Sequence, residues 1–264
     1  MSGPGDLNRR SLRLHRRENL IYIYDGSFEG LLCCVFEAFS THTLPLSIWP
    51  AGAEQPTLFP LREIPTDSDR ADRVFAGIRR LGVETEQSLL QAFLSGLPDK
   101  ELVLLRFLDL AFAAGPGAIR MLGCPETADL LALVKNVYRE AEKYTGFLRF
   151  EERENWLGAV FEPENYLLPL LKPHFCGRFP EERFFIYDAT HCAVLLYQPH
   201  RAEILTLSEP LQMPVATARE RYYQDLWREL YRISEIPDRH NLACRRNHCP
   251  KRYWTHMTEL QNHS

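Results

Sequence analysis

The sequence predicts an α+β fold: a helical N-terminal half, then an antiparallel β-meander and a C-terminal helix. Three observations carry this. Apolar residues recur at helical spacing through most of the first 150 residues. From about residue 146 the period shortens, and apolar runs are joined by tight turns. Helices first and strands later favour segregated α and β layers over repeated βαβ units.

Each element has its own local reason. "LIYIY" (20–24) alternates and is β-branched and aromatic, which reads as a short strand. A helix follows from Phe28, with Leu31, Leu32, Val35, Phe36 and Phe39 on its apolar positions. The proline-rich stretch "THTLPLSIWPAGAEQPTLFP" reads as irregular, with a short strand near Leu58. Asp67 or Ser68 caps a helix to about Leu81, Thr85 one through Leu94, and Asp99 a very apolar one through about Phe112, stopped by "AAGPG". Pro125 suits the first turn of a long helix. "GFLRFEE" and "WLGAVFEP" read as paired strands, and "NYLLPLLKPHF" as a helix. "RFFIYD", "CAVLLY" and "AEILTL" then form the meander. A last helix sets Tyr223, Leu226, Trp227 and Leu230 on one face. The chain thus divides into a basic flexible tail (1–18), a mainly helical part (19–150), a sheet with its helix (151–236) and a basic aromatic segment (237–264).

The net charge of −4 excludes a generally basic, histone-like protein, but the charge is unevenly placed. Residues 9–17 carry five arginines and no acid, and residues 239–252 carry five basic side chains and no acid. Basic arms on an acidic body suit contact with a polyanion. Seven cysteines without a framework suit a reducing, cytoplasmic setting. No apolar leader opens the chain, and its longest charge-free run, Ala38 to Ala53, holds two prolines. A spanning helix needs roughly 18 or more continuous apolar residues, so no membrane association is expected.

Four places offer chemistry. The corner "YDGSFEG" has one glycine before Phe28 and no Gly-Lys-Ser/Thr, and its own acids Asp25 and Glu29 would repel a phosphate. It reads best as a self-capped strand-to-helix junction, with Asp25 and Glu29 as candidates for a site. Asp188 ends a second Ile-Tyr strand and, with His174 or His191, could build an acidic-histidine cleft. His240, Cys244 and His248 are spaced four apart beside Cys249, yet no Cys-x-x-Cys pair accompanies them. No metal and no cofactor is expected. The strongest signal is "RRNHCPKRYWTH". Arg239, Arg245, Arg246, His248, Lys251 and Arg252 can neutralise phosphates, and Tyr253 and Trp254 can stack on exposed bases. The opposing reading plugs Tyr253 and Trp254 into the core.

Three ordered blocks give the chain a family resemblance over about residues 20–260. They are "IYDGSFEGLLCCVFEAF", "HFCGRFPEERFFIYDATH" and "LWRELYR" followed by "RHNLACRRNHCPKRYW". The chain resembles DNA-metabolism (DNA-repair) proteins encoded beside a radical SAM protein, some of them fused to a uracil-DNA glycosylase domain. The glycosylase domain is absent here, so uracil excision is not carried over. The pattern falls on Tyr24, Asp25, Gly26, Phe28, Glu29 and Gly30. It falls again on His174, Phe175, Arg178, Phe179 and Asp188, and on Trp227, Asn241, Arg246, His248, Pro250, Tyr253 and Trp254. The family generally has apolar residues where Cys244 and Cys249 stand, which argues further against zinc.

The resemblance and the basic segment together imply a DNA-binding or adaptor partner of a radical SAM enzyme. The radical chemistry belongs to that partner, because this chain has no three-cysteine run for a cluster. Five phosphates neutralised on duplex DNA would give a log–log salt slope of about −4 to −5. Two alternatives stand beside this. A hydrolase or nuclease would need Asp25, Glu29, His174 and Asp188 within about 4 to 8 Å of one another. A protein–protein scaffold would show an exposed apolar patch and no basic groove.

Overall fold

A computed structural model describes residue 14 and residues 16–53, 55–153, 155–213 and 216–261. The fold is mixed α+β, and the chain falls into two compact units, Met1–Val137 and Tyr138–Ser264. Most of the expected tail, residues 1–13 and 15, lies outside the described residues.

The first unit is helical around a small parallel sheet. Strand β1 (Arg16–Arg17) pairs with β3 (Thr43–Leu44), and buried Leu14 donates its N–H to Asp109 Oδ2 at 3.4 Å. Strand β2 (Ile21–Tyr24) lies between β4 (Ser47–Pro50) and β5 (Leu61–Glu63), parallel to both. All four β2 residues are buried, as expected for a central parallel strand covered on both faces. Helix α1 (Phe28–Thr41) is the crossover from β2 to β4, so one βαβ unit does sit inside the helical half. The proline-rich stretch hid β4, which ends at Pro50; the next donor, the Ala51 N–H, bonds the Tyr24 carbonyl at 2.7 Å.

Helices α2 (Ser68–Arg80), α3 (Val83–Phe93) and α4 (Lys100–Ala114) complete this core. Asp67 caps α2 by accepting the Arg70 N–H at 2.9 Å. Helix α3 starts two residues before Thr85, at Val83, and its cap position is Gly82, whose φ of 105° only glycine adopts without strain. Thr85 is buried inside the helix. Asp99 precedes α4 as expected, but its carboxylate accepts from Ser47 Oγ at 2.9 Å and makes no cap bond. Helix α5 (Pro125–Phe147) starts in this unit and ends in the second.

The second unit is a five-stranded sheet. Its strands are β6 (Glu151–Arg153), β7 (Trp156–Phe161), β8 (Phe184–Asp188), β9 (Ala193–Gln198) and β10 (Arg201–Thr206), side by side in reverse chain order. Strands β8 to β10 form the antiparallel meander and β6–β7 an antiparallel pair. The β7–β8 pair is parallel, joined by helix α6 (Leu168–Arg178), which buries Leu168, Leu171 and Phe175. Gly158 leaves room for a ring: a Cβ there would lie 2.4 Å from Phe185. Helix α7 (Ala218–Ser234) starts at Thr217, whose hydroxyl accepts the Glu220 N–H, while Glu220 itself accepts the N–H of Glu152 on β6 at 2.8 Å.

Candidate functional site

The basic C-terminal segment is built on short elements. Asn241 caps helix α8 (Leu242–His248) by accepting the Cys244 N–H at 2.9 Å, and a 3-10 turn covers Lys251–His256. Its arginines split into two classes. Arg245 pairs with Glu235 at 2.9 Å and lies over the Tyr231 ring. Arg252 bonds Glu164, faces the buried Glu140 at 3.6 Å and donates to the Tyr253 hydroxyl at 2.8 Å. Arg239, Arg246 and Lys251 are exposed, and none has an acid within ion-pair distance among the described residues. His248 is also exposed, its ring turned back to the Cys244 carbonyl at 3.0 Å.

The aromatic half of the expected surface is arranged differently. Tyr253 is buried, edge-on to Tyr144 at 5.0 Å and tilted against Phe147 at 5.3 Å. Trp254 is half-buried and donates its indole N–H to the Cys249 carbonyl at 2.9 Å. Exposed rings occur instead on α7: Tyr222, Tyr223, Trp227 and Tyr231. The shared face expected of this helix is open, with Tyr223, Leu226, Trp227 and Leu230 lining a groove of about 640 Å³ with Phe150 and Leu157. Trp227 is tied at its edge to Glu259, which also takes Arg149 at 2.5 Å. Burial raises the Glu259 carboxyl, but the bonds from Arg149, its own backbone and Trp227, with the Arg149 charge, together outweigh it and hold the group below its ordinary range. A second cleft of about 390 Å³ is lined by Arg239, His240, Asn241, Cys244 and Arg245.

The four acid and histidine candidates are divided between the units. In the first, the Asp25 carboxylate accepts from the Ser27 N–H (2.9 Å), the Ser27 hydroxyl (2.6 Å) and the Thr66 hydroxyl (2.7 Å). Burial would raise its pKa, yet these bonds prevail and lower it. Ser27 Oγ in turn accepts the Gly30 N–H, closing the α1 cap. This is a self-capped junction. Glu29 is exposed on the first turn. In the second unit, His174 is exposed on α6 with its ring against Phe175. Asp188 is fully buried and accepts from the Thr190 and His191 N–H groups and from His191 Nδ1 at 2.7 Å. The histidine that Asp188 engages is therefore its near neighbour His191. Neither aspartate is held as a free general base.

Two of the possible zinc ligands have other partners: His240 with Glu235 at 2.5 Å, and Cys249 with Met257 at 3.6 Å. Among the described residues no group of three or more His, Cys, Asp and Glu is arranged to hold a metal ion. No helix among them is long and apolar enough to cross a membrane.

One site went unread in the sequence. A cavity of about 700 Å³ opens at the carboxyl ends of β2 and β4, where Tyr24 and Pro50 face each other in register. Its floor holds Glu101, 4% exposed, which accepts from the Tyr24 hydroxyl at 2.9 Å. Trp49, Pro50, Leu97 and Pro98 form apolar walls. Lys100 also lines the cavity, its ammonium donating to the Phe93 carbonyl at 2.8 Å over the Phe93 ring. Burial raises the Glu101 carboxyl and lowers the Lys100 ammonium. The signal available in the sequence was a glutamate in the first turn of a largely apolar helix.

No curated protein matches the chain. A family model matches residues 98–259, which takes in the second and third of the three sequence blocks and leaves out the first. With that match over more than half its length, the chain belongs to the DUF4130 family, described as a domain of unknown function.

Proposed function

We propose that the chain acts in DNA metabolism as a DNA-binding adaptor for a radical SAM enzyme, gripping DNA through its C-terminal segment. The observation that carries the reading is the set Arg239, Arg246 and Lys251, exposed cations without acid partners among the described residues. Neighbouring arginines that do have partners hold the fold, so the uncommitted three mark a surface for phosphates. Exposed rings on α7 add sequence-tolerant stacking surfaces for unpaired bases. The partner enzyme rests on the family resemblance and would supply the chemistry. The reading sets the protein in the cytoplasm, where its seven thiols, all free, stay reduced.

Three cations in place of five change the expected salt dependence. On duplex DNA the log–log slope becomes about −3, or about −2 on a single strand. Gel-shift titration across salt tests this, with a triple variant R239A/R246A/K251A as the decisive arm. Loss of binding in the triple variant is expected. No shift at low salt, or binding unchanged in that variant, overturns the reading.

A further inference from the structure

We infer that the cavity at the carboxyl ends of β2 and β4 is a ligand site for a planar nitrogen heterocycle with paired N–H donors, the edge that guanine presents. The site lies wholly in the first unit and stands independently of the DNA-binding reading.

The inference starts from Glu101. A carboxylate accepts at about four positions on two oxygens. Its side-chain partner is the Tyr24 hydroxyl; its own backbone and the Lys100 charge also stabilise it, and no cation lies within ion-pair distance among the described residues. The cation next to it in sequence, Lys100, turns its ammonium to the Phe93 carbonyl. A buried carboxyl with spare acceptor capacity is costly unless donors reach it. The cavity places those donors on a ligand. Two parallel N–H groups, one on a ring and one exocyclic, match the two oxygens of one carboxylate.

The walls combine apolar surface, which suits a flat ring, with the polar side chains of Gln55, Ser95 and Asp99. Trp49 offers an aromatic face, and Pro50, Leu97 and Pro98 are rigid or apolar with no donor side chain. A volume of about 700 Å³ exceeds what a lone ion or amino group needs and lies in the range of small-molecule pockets. The location also agrees with a general rule: in parallel sheets, ligands bind beyond the carboxyl ends of the strands. Here those ends are Tyr24 and Pro50, both in the lining.

The test is isothermal titration of the full chain with guanosine, inosine, adenosine and thymidine. Guanosine should bind best, and inosine, which lacks the exocyclic amino group, clearly more weakly. Glu101→Gln exchanges one acceptor for a donor at nearly constant shape and should weaken guanosine about tenfold or more. Leu97→Trp fills the mouth from an exposed position and should remove binding without loss of folding, checked by circular dichroism. Absence of guanosine binding at millimolar concentration overturns the site. Equal affinity for all four nucleosides, or guanosine binding unchanged in both variants, overturns the donor-edge assignment. Gel shifts on the same variants separate this from DNA binding, since Glu101→Gln should leave the shift in place.

Discussion

Glycine at position 30 should be worth more than helix propensity allows. In an ordinary helix, Gly→Ala stabilises by about 1 kcal/mol. At Gly30 the added Cβ would lie 2.2 Å from Asp25 Oδ1 and 2.9 Å from Thr66 Oγ1. The carboxylate must move, and its bonds from the Ser27 N–H, the Ser27 hydroxyl and the Thr66 hydroxyl go with it. Asp25 is exposed, so each bond is taken at the low end, about 0.5 kcal/mol, or roughly 1.5 in all. Disturbing the Ser27 cap adds about 1 kcal/mol. Net of the helix gain, Gly30→Ala should destabilise by roughly 1–2 kcal/mol. Urea unfolding followed by circular dichroism measures it, and Asp25→Ala completes a double-mutant cycle. With the carboxylate gone, the alanine should cost much less, a coupling of about 1–2 kcal/mol. The pH dependence follows from the lowered Asp25 pKa. A depressed folded-state pKa contributes stability above the unfolded value, near 4, that is lost as pH falls through the folded one. The gap between wild type and Asp25→Ala should therefore be full at neutral pH and close on acidification. A stabilised Gly30→Ala protein, or a cycle with no coupling, refutes the clash.

Further outcomes follow from the same contacts. Tyr253→Ala should lower stability by about 3–5 kcal/mol because it empties a buried ring site, whereas Arg246→Ala should stay within about 0.5; thermal melts compare them. Glu140→Ala should cost about 3 kcal/mol by chemical denaturation, since its buried carboxylate accepts from the Glu164 and Asn165 N–H groups and the Asn165 side chain while facing Arg252. Glu101 titrates in the opposite sense to Asp25. Its raised folded pKa gives stability present below the unfolded value, near 4, and lost as pH rises through the folded one. Glu101→Gln should therefore gain on wild type as pH increases, and a constant difference across pH would discount the burial of that carboxyl.

Most of the fold was legible because apolar periodicity records which face of an element is covered. Helices α1, α2, α4 and α5 and strands β2 and β7 to β10 fall where their spacing and caps set them. Two kinds of element were not legible. Strand β4 is buried at Ser47 and Ile48 and short, so it shows no alternation, and its flanking prolines read as loop. The parallel pairing of β7 with β8 depends on α6 crossing between them, a tertiary fact that local pattern does not encode. Helix α7 shows how far the same signal reaches. Its apolar stripe is real, but a stripe records what a face can cover, and this one lines an open groove.

The site was harder to see because side-chain partners are distant in sequence. Asp25 engages Thr66, and Glu101 engages Tyr24 across 77 positions. Helix α4 nonetheless held a usable signal. It buries most residues from Glu101 to Ala111, leaving Arg106 on a narrow exposed strip, so a charged side chain off that strip has no solvent to take. Both acids in that span have partners of the required kind. Glu101 meets the Tyr24 hydroxyl, and Asp109 meets the Leu14 N–H. In an amphipathic helix such as α2 an acid is uninformative, because solvation explains it. In a helix covered nearly all round, burial without a partner would cost several kcal/mol, so each acid implies a donor elsewhere in the chain or on a ligand. Asp109 finds its donor near the chain's start, whereas Glu101 keeps acceptor capacity beside a cavity. That difference makes Glu101, rather than either aspartate ending an Ile-Tyr strand, the acid with chemistry still to account for.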